Sequence, residues 1–171
     1  MDSILSKFDS FLSQSDSDSM DWNDGGDYEI AQEMLDKFSP EEWDQLREMI
    51  PNRPALWRNC VIYSVEPKKG NWHSELLLDF VFDTDHQLSL EATHRVAFYC
   101  GALHGKNGIT FDPRIRSEHM IQTAKSRPGL EAAIARLQPE CNPILLGLVN
   151  VMFNELGIAP IATRADTATT H

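Results

Sequence analysis

The chain has 171 residues, of which 42% are hydrophobic and 24% are charged, a composition typical of one ordinary globular protein. Its formal net charge of -11 disfavours nucleic acid and anionic lipid as partners and favours a basic protein surface. No apolar stretch approaches the roughly 20 residues that a membrane span needs, and the N-terminus lacks the basic segment of a signal peptide, so neither membrane insertion nor export is predicted.

The acidic residues are concentrated at one end of the chain. Residues 1–50 hold 14 acidic and 3 basic side chains, whereas residues 51–171 hold 12 of each kind. The net charge therefore lies in the first third of the sequence, and any electrostatic attraction to a partner is expected there.

The first predicted element is an amphipathic helix within residues 1–14, where Leu5, Phe8 and Leu12 recur at helical spacing. Residues 15–26, with the sequence SDSDSMDWNDGG, have no hydrophobic period, which predicts a loop or disordered linker. Trp22 is the only aromatic residue in that segment. It is either a contact anchor for a partner or a side chain that folds back onto the domain.

Two helices are predicted next, the first over residues 28–38. The second has a sharp N-terminal signal, because Ser39 suits the N-cap, Pro40 suits the first helical position, and Glu42 completes a capping box. This helix is expected to stop before Pro51.

The remaining elements are also mainly helical. Pro54 opens a helix that contains Trp57, and we expect Trp57, like Trp43, to lie in the core. Residues 75–82 form an apolar run too short for periodicity to separate a helix from a buried strand. After a helix from about residue 88, the glycine-rich residues 101–108 are predicted to be a connecting loop. Further helices are expected around residues 113–125, 129–137 and 143–156.

These elements predict an all-α fold of about seven or eight short helices in stacked antiparallel pairs, either HEAT-like or an irregular bundle. The predicted domains are an N-terminal amphipathic segment with an acidic linker at residues 1–26, a helical domain at 27–158, and a flexible C-terminal tail at 159–171.

The three cysteines suggest no metal or disulfide site. Cys60, Cys100 and Cys141 are widely spaced and form no CxxC pair, so neither a zinc site nor a disulfide framework is implied. Cys60 and Cys100 lie in apolar helical patterns, where cysteine behaves as a small hydrophobic residue. This usage fits a reducing compartment, and we predict a cytoplasmic protein.

The sequence contains no motif for catalysis, and we predict neither a catalytic residue nor a cofactor nor a metal. Glu91 and His94 have the carboxylate–histidine spacing of a di-metal helix bundle, but that motif occurs once where the bundle needs two copies. Cys100 and His104 could share a metal, although the adjacent glycines favour a helix end instead. A pocket holding Glu91, His94 and His119 would favour an enzyme.

The region from Phe38 to Leu103 resembles the helical, HEAT-like immunity proteins of bacterial polymorphic toxin and contact-dependent inhibition systems. The matching positions are Glu42, Trp43 and Leu46 on one helix, Trp57 on the next, and Leu77 and Leu78 followed by Asp83 and Asp85. The resemblance implies a protein that binds a cognate toxin domain, such as a basic nuclease, and blocks its active site or substrate groove in the cytoplasm.

The candidate partner-binding residues are eight acidic side chains and one aromatic side chain, Trp22, that could anchor a contact. They are Asp16, Asp18, Asp21, Trp22, Asp24, Asp27, Glu41, Glu42 and Asp44. An acidic tract often only keeps a linker solvated, and Glu41 and Glu42 also stabilise the positive end of their helix. We expect an immunity protein that neutralises a basic toxin domain. The alternative is a helical adaptor or regulatory module whose acidic segment docks on a basic partner.

Overall fold

The computed structural model describes residues 3–162 of the chain, which divides into two compact units, Met1–Glu66 and Pro67–His171. The prediction of a mainly helical fold is confirmed for the described residues. They form ten α-helices and one two-stranded sheet, so the predicted count of seven or eight helices was too low and the sheet was missed. The domain boundaries predicted after residues 26 and 158 stay predictions.

The first unit is built around an aromatic core. Its helices are α1 (Ile4–Leu12), α2 (Met20–Asn23), α3 (Asp27–Leu35), α4 (Pro40–Met49) and α5 (Ala55–Ser64). Phe8 of α1 is fully buried, and its ring centroid lies 5.5 Å from that of Phe38 and 6.4 Å from that of Trp57. Both contacts are edge-to-face, the geometry that aromatic quadrupoles favour. Trp43 and Trp57 are 4% and 3% exposed, which confirms them as core residues.

Helix α4 begins as its sequence predicts. The side-chain oxygen of Ser39 accepts a hydrogen bond from the N–H of Glu42, and the Glu42 carboxylate accepts one from the N–H of Ser39. Two N–H groups that the helix leaves unsatisfied are thereby paired. The α-helix ends at Met49 and a 3-10 turn, Ile50–Asn52, contains Pro51, so the predicted stop is confirmed.

The segment predicted to be a loop or linker is loop at residues 15–19 and 24–26, as expected, but one short helix interrupts it and it packs onto the unit. It contains α2, whose N-cap Ser19 accepts a hydrogen bond from the N–H of Trp22. Trp22 itself is 2% exposed, so it folds back onto the unit. Ser17 is buried and its hydroxyl accepts a hydrogen bond from Asn59 of α5 at 2.9 Å. Burial of one tryptophan outweighs the polar composition of the residues around it.

The second unit is organised around a largely buried helix. Its helices are α6 (Asn71–Val81), α7 (His86–Tyr99), α8 (Glu118–Lys125), α9 (Leu130–Ala135) and α10 (Pro143–Leu156). Helix α6 contacts α7 and α8, and Leu76, Leu77, Leu78 and Val81 are all completely buried. The apolar run is thus a helix and not a strand. It had no readable period because most of its residues are apolar and buried, and only Glu75 and Asp79 mark the half-exposed side of so short a run.

A β-hairpin replaces the loop predicted over residues 101–108. Strand β1 (Ala102–Gly105) pairs antiparallel with β2 (Gly108–Phe111), with Ala102 opposite Phe111 and Gly105 opposite Gly108. The pairing leaves a two-residue turn, and Gly108 after it has a φ of 98°, in the region that glycine tolerates best. The Asn107-Gly108 dipeptide is a common signal for a hairpin turn, and it was not used when residues 101–108 were predicted to be a loop.

The C-terminal part of the described chain follows α10. This helix spans the predicted residues 143–156, with Asn142 as its N-cap and Gly157, at a φ of 73°, after its last turn. Beyond it, Ile161 donates its N–H to the side-chain oxygen of Asn150 at 2.8 Å. Most of the predicted flexible tail, residues 163–171, lies outside the described residues. The helix expected from Pro113 begins only at Glu118, where Ser117 is the N-cap.

Candidate protein-binding site

The first unit carries almost all the net charge. Residues 1–66 contain 15 acidic and 5 basic side chains, a net charge of -10, whereas residues 67–171 contain 11 acidic and 10 basic side chains. At most five of the fifteen carboxylates can therefore have a cation of their own within the first unit. The excess gives this unit an anionic field that attracts basic molecules.

Helix α4 places three exposed carboxylates in one row. Glu41, Asp44 and Glu48 are exposed and follow an i, i+3, i+7 spacing, which puts them on one face of the helix. Trp43 and Leu46, on another face, are buried in the core. We name Glu41, Asp44 and Glu48 the α4 acidic stripe. Because its backbone is fixed by a capped helix, less entropy is lost when a partner binds it.

Glu42, predicted together with Glu41 and Asp44, has a different role in the structure. One of its carboxylate oxygens accepts the N–H of Ser39, and the other accepts the N–H of Leu5 at the start of α1, both at 3.1 Å. These bonds from the Ser39 and Leu5 backbone lower the pKa of Glu42. The side chain joins α4 to α1, and its lone pairs are engaged inside the unit.

The acidic tract of residues 16–27 is held in place and presents its charges outward. Asp16, Asp18, Asp21 and Asp24 are exposed, whereas Asp27 at the start of α3 is half-buried. The carboxylate of Asp16 accepts the N–H of Asp18 at 2.9 Å. Since Trp22 is buried, its side chain cannot anchor a partner in this conformation. Its neighbour Met20, 78% exposed, is the apolar side chain that this tract offers instead.

A second exposed acidic row, on α3, was missed at the level of sequence. Glu29, Glu33 and Asp36 are all exposed and are spaced i, i+4, i+7, with Asp36 at the C-cap of the helix. Ile30, beside Glu29, is 43% exposed. The spacing of these three residues along the predicted helix was the signal in the sequence that indicated this row.

Two of the residues considered for an enzyme, His94 and His119, lie in different surroundings. The Nε2 atom of His94 is buried without a hydrogen-bond partner, whereas His119 is exposed and its Nδ1 lies 2.8 Å from the side-chain oxygen of Asn71. Across residues 3–162, no three His, Cys, Asp or Glu side chains are grouped so that they could hold a metal ion.

Two of the three cysteines are unsuited to nucleophilic chemistry. Cys60 and Cys100 are completely buried, as expected for small hydrophobic residues. Burial raises the pKa of Cys60 to about 11 and that of Cys100 to about 12. Since the thiolate is the reactive form of cysteine, both thiols are inert at neutral pH.

Comparison of the chain with protein-family models, with curated proteins and with solved structures found no match. No helix in residues 3–162 combines the length and the apolar character that a membrane crossing requires.

Proposed function

We propose that the protein is a binding protein that neutralises a basic toxin domain, and that the exposed acidic rows of its first unit form the docking surface. The observation that carries the proposal is the excess of ten carboxylates in residues 1–66, presented on ordered helices. A basic enzyme that acts on nucleic acid has a cationic substrate groove, and a folded acidic surface can compete for that groove.

Order in the acidic tract supports docking over simple solvation. A tract that only solvates a chain has no need of structure. This tract, however, has a buried tryptophan, a capped helical turn and a Ser17 hydroxyl that accepts a hydrogen bond from the Asn59 side chain. A preorganised surface loses less entropy on binding than a flexible one. Met20 and Ile30, exposed among the acidic residues, would add apolar contact area to the charge.

The test of the docking surface is charge reversal with a matched control. Glu41→Lys combined with Asp44→Lys changes the α4 acidic stripe, and Glu131→Lys combined with Glu140→Lys makes the same change of net charge in the second unit. Glu41 and Glu131 both lie in the first turn of a helix, and all four substituted residues are exposed. Circular dichroism would first verify that both variants fold.

We expect the α4 variant to slow association with the basic partner about tenfold and to reduce its salt dependence, because steering charges act mainly on the association rate. The control should associate at nearly the rate of the unmodified protein. Equal loss in both variants would mean that only net charge matters, and no loss in the α4 variant would show that the stripe is not the docking surface.

The partner is to be found by affinity capture from the native cell with mass spectrometry, followed by expression of the captured domain alone. A domain that kills cells unless this protein is co-expressed would establish neutralisation. A basic partner without toxicity would favour the alternative, an adaptor or regulatory module that docks through the same acidic surface.

A further inference from the structure

The hairpin of the second unit has an unpaired outer edge. Asp112 donates its N–H to the carbonyl of Gly101, which makes that position a hydrogen-bonded pair. Because such pairs alternate along an antiparallel ladder, Thr110 directs its backbone groups toward β1, whereas Ile109 and Phe111 direct theirs away from it. Among the hydrogen bonds of residues 3–162, none uses these outward backbone groups of Ile109 and Phe111.

This edge is short, with four residues, but it lacks the side-chain and backbone features that normally keep a free edge from pairing. Exposed edge strands are commonly blunted by a lysine, a proline, an inward charge or a bulge. Strand β2 has the sequence GITF, without a charge or a proline, and ends in Phe111, which is 44% exposed. The strand is therefore open to pairing with another strand.

We propose that two copies of this chain pair through β2 in an antiparallel arrangement, with a twofold axis at Thr110. The outward backbone groups lie at positions 109 and 111, one residue on either side of that axis. Ile109 of each copy would then exchange both backbone hydrogen bonds with Phe111 of the other copy. The strand complements itself in this register, which is what a twofold interface requires.

The side chains fit the same register. Ile109 and Phe111 are on the face of the hairpin that contacts α10, where Ile109 lies over Gly147. In the proposed pairing, Ile109 of one copy lies beside Phe111 of the other copy. Aromatic residues next to β-branched ones are a favourable cross-strand combination. A groove of about 410 Å³ between Phe111 and α10, lined by Asn150, Val151, Asn154 and Glu155, leaves room at this position.

The net charge of the second unit neither favours nor prevents pairing of two β2 strands. Residues 67–171 have a net charge of -1, so the surface around β2 has no large field of one sign. Two whole chains at -11 each still repel one another. Added salt screens this repulsion and should strengthen the dimer, whereas it should weaken binding of a basic partner to the first unit. The two associations are thereby distinguishable.

The test uses Thr110, which is exposed and would face its own copy at the axis, with Cα atoms about 4.5 Å apart in a non-hydrogen-bonded pair. Sedimentation equilibrium of the full chain across the micromolar range would measure association. A small interface predicts a dissociation constant in that range. Thr110→Lys alone and Thr110→Glu alone should each raise the constant about fivefold or more, because like charges directly opposite repel.

An equimolar mixture of Thr110→Lys and Thr110→Glu should recover the dimer as a mixed pair. Thr84→Lys, at an exposed bend between α6 and α7, is the control for the added charge and should dimerise like the unmodified chain. A monomer at every concentration would overturn the proposal. So would a dimer that Thr110→Lys leaves unchanged, or one that the mixture fails to restore.

Discussion

The two units use charge in opposite ways. In the second unit acidic and basic residues are nearly balanced, and three of its arginines pair inside the unit: Arg114 with Asp112, Arg116 with Glu118 and Glu155, and Arg127 with Asp79. In the first unit the 15 carboxylates outnumber the 5 cations. Acidic and basic side chains therefore nearly cancel in the second unit, whereas the first unit has an excess of carboxylates that can attract other molecules.

The core of the first unit must be stable enough to offset the repulsion among its excess carboxylates. Like charges in a compact unit repel and destabilise it, and the favourable term that opposes them is apolar burial. Three of the four tryptophans lie in the first unit and are buried there, whereas Trp72 of the second unit is 37% exposed. Large aromatic side chains bury the most area per residue, so the more strongly charged unit has the more aromatic core.

The largest expected effect comes from removing the tryptophan that anchors the acidic tract. Trp22→Ala should lower the free energy of unfolding by about 3 kcal/mol, because a large buried side chain is replaced by a cavity. Urea denaturation followed by circular dichroism would measure it. Met20→Ala, two residues away and 78% exposed, should change stability by less than about 0.5 kcal/mol. Equal effects would mean that the tract is not anchored through Trp22.

A smaller effect is expected where the hairpin meets α10 in the second unit. A Cβ at Gly147 would lie 2.7 Å from Cγ1 of Ile109, so Gly147→Ala should overpack the contact and cost about 1 kcal/mol after the gain in helix propensity is subtracted. The same denaturation experiment applies. Ile109→Ala should abolish the penalty in a double-mutant cycle; a stabilising Gly147→Ala in the original background would contradict the close contact.

Removing the N-cap of α4 is expected to lower the free energy of unfolding by about 1 kcal/mol. Ser39→Ala removes the oxygen that accepts the N–H of Glu42, and loss of such a cap typically costs about that much. The thermal midpoint would report the change. Ser39→Asp, which keeps a capping oxygen, serves as the control. If Ser39→Ala and Ser39→Asp unfold at the same temperature, the capping box contributes nothing to the first unit.

The smallest expected effect is a pH dependence in the second unit. Hydrogen bonds from the Arg114 side chain and backbone hold the pKa of Asp112 at about 2, below its ordinary value of 3.8. The stabilisation is therefore complete above pH 3.8 and is lost as the pH falls through about 2. Asp112→Asn should be less stable than the unmodified chain near neutral pH, with a deficit that narrows in this acid window. Urea midpoints against pH would test it, and a constant deficit would refute it.

Part of the candidate site could be predicted from sequence, and part could not. Exposure of Glu41 and Asp44 follows from helical spacing against Trp43, which is a local relation along one helix. The engagement of Glu42 by the N–H of Leu5 could not be predicted, because that bond joins residues 37 positions apart in the chain. Burial of Trp22 was left open for the same reason, since its packing partners come from other helices.

The sequence by itself determined the uneven charge, the helical class, the capped start of α4 and the bounds of α10. Each depends on composition or on groups a few residues apart, whose hydrogen bonds and steric preferences act before any tertiary contact exists. Only the tertiary structure decided that the acidic tract is folded, that α6 is a helix, and that Ile109 and Phe111 lie on an open edge. Those outcomes depend on which distant surfaces can bury an apolar side chain, and burial is a property of the packed chain as a whole.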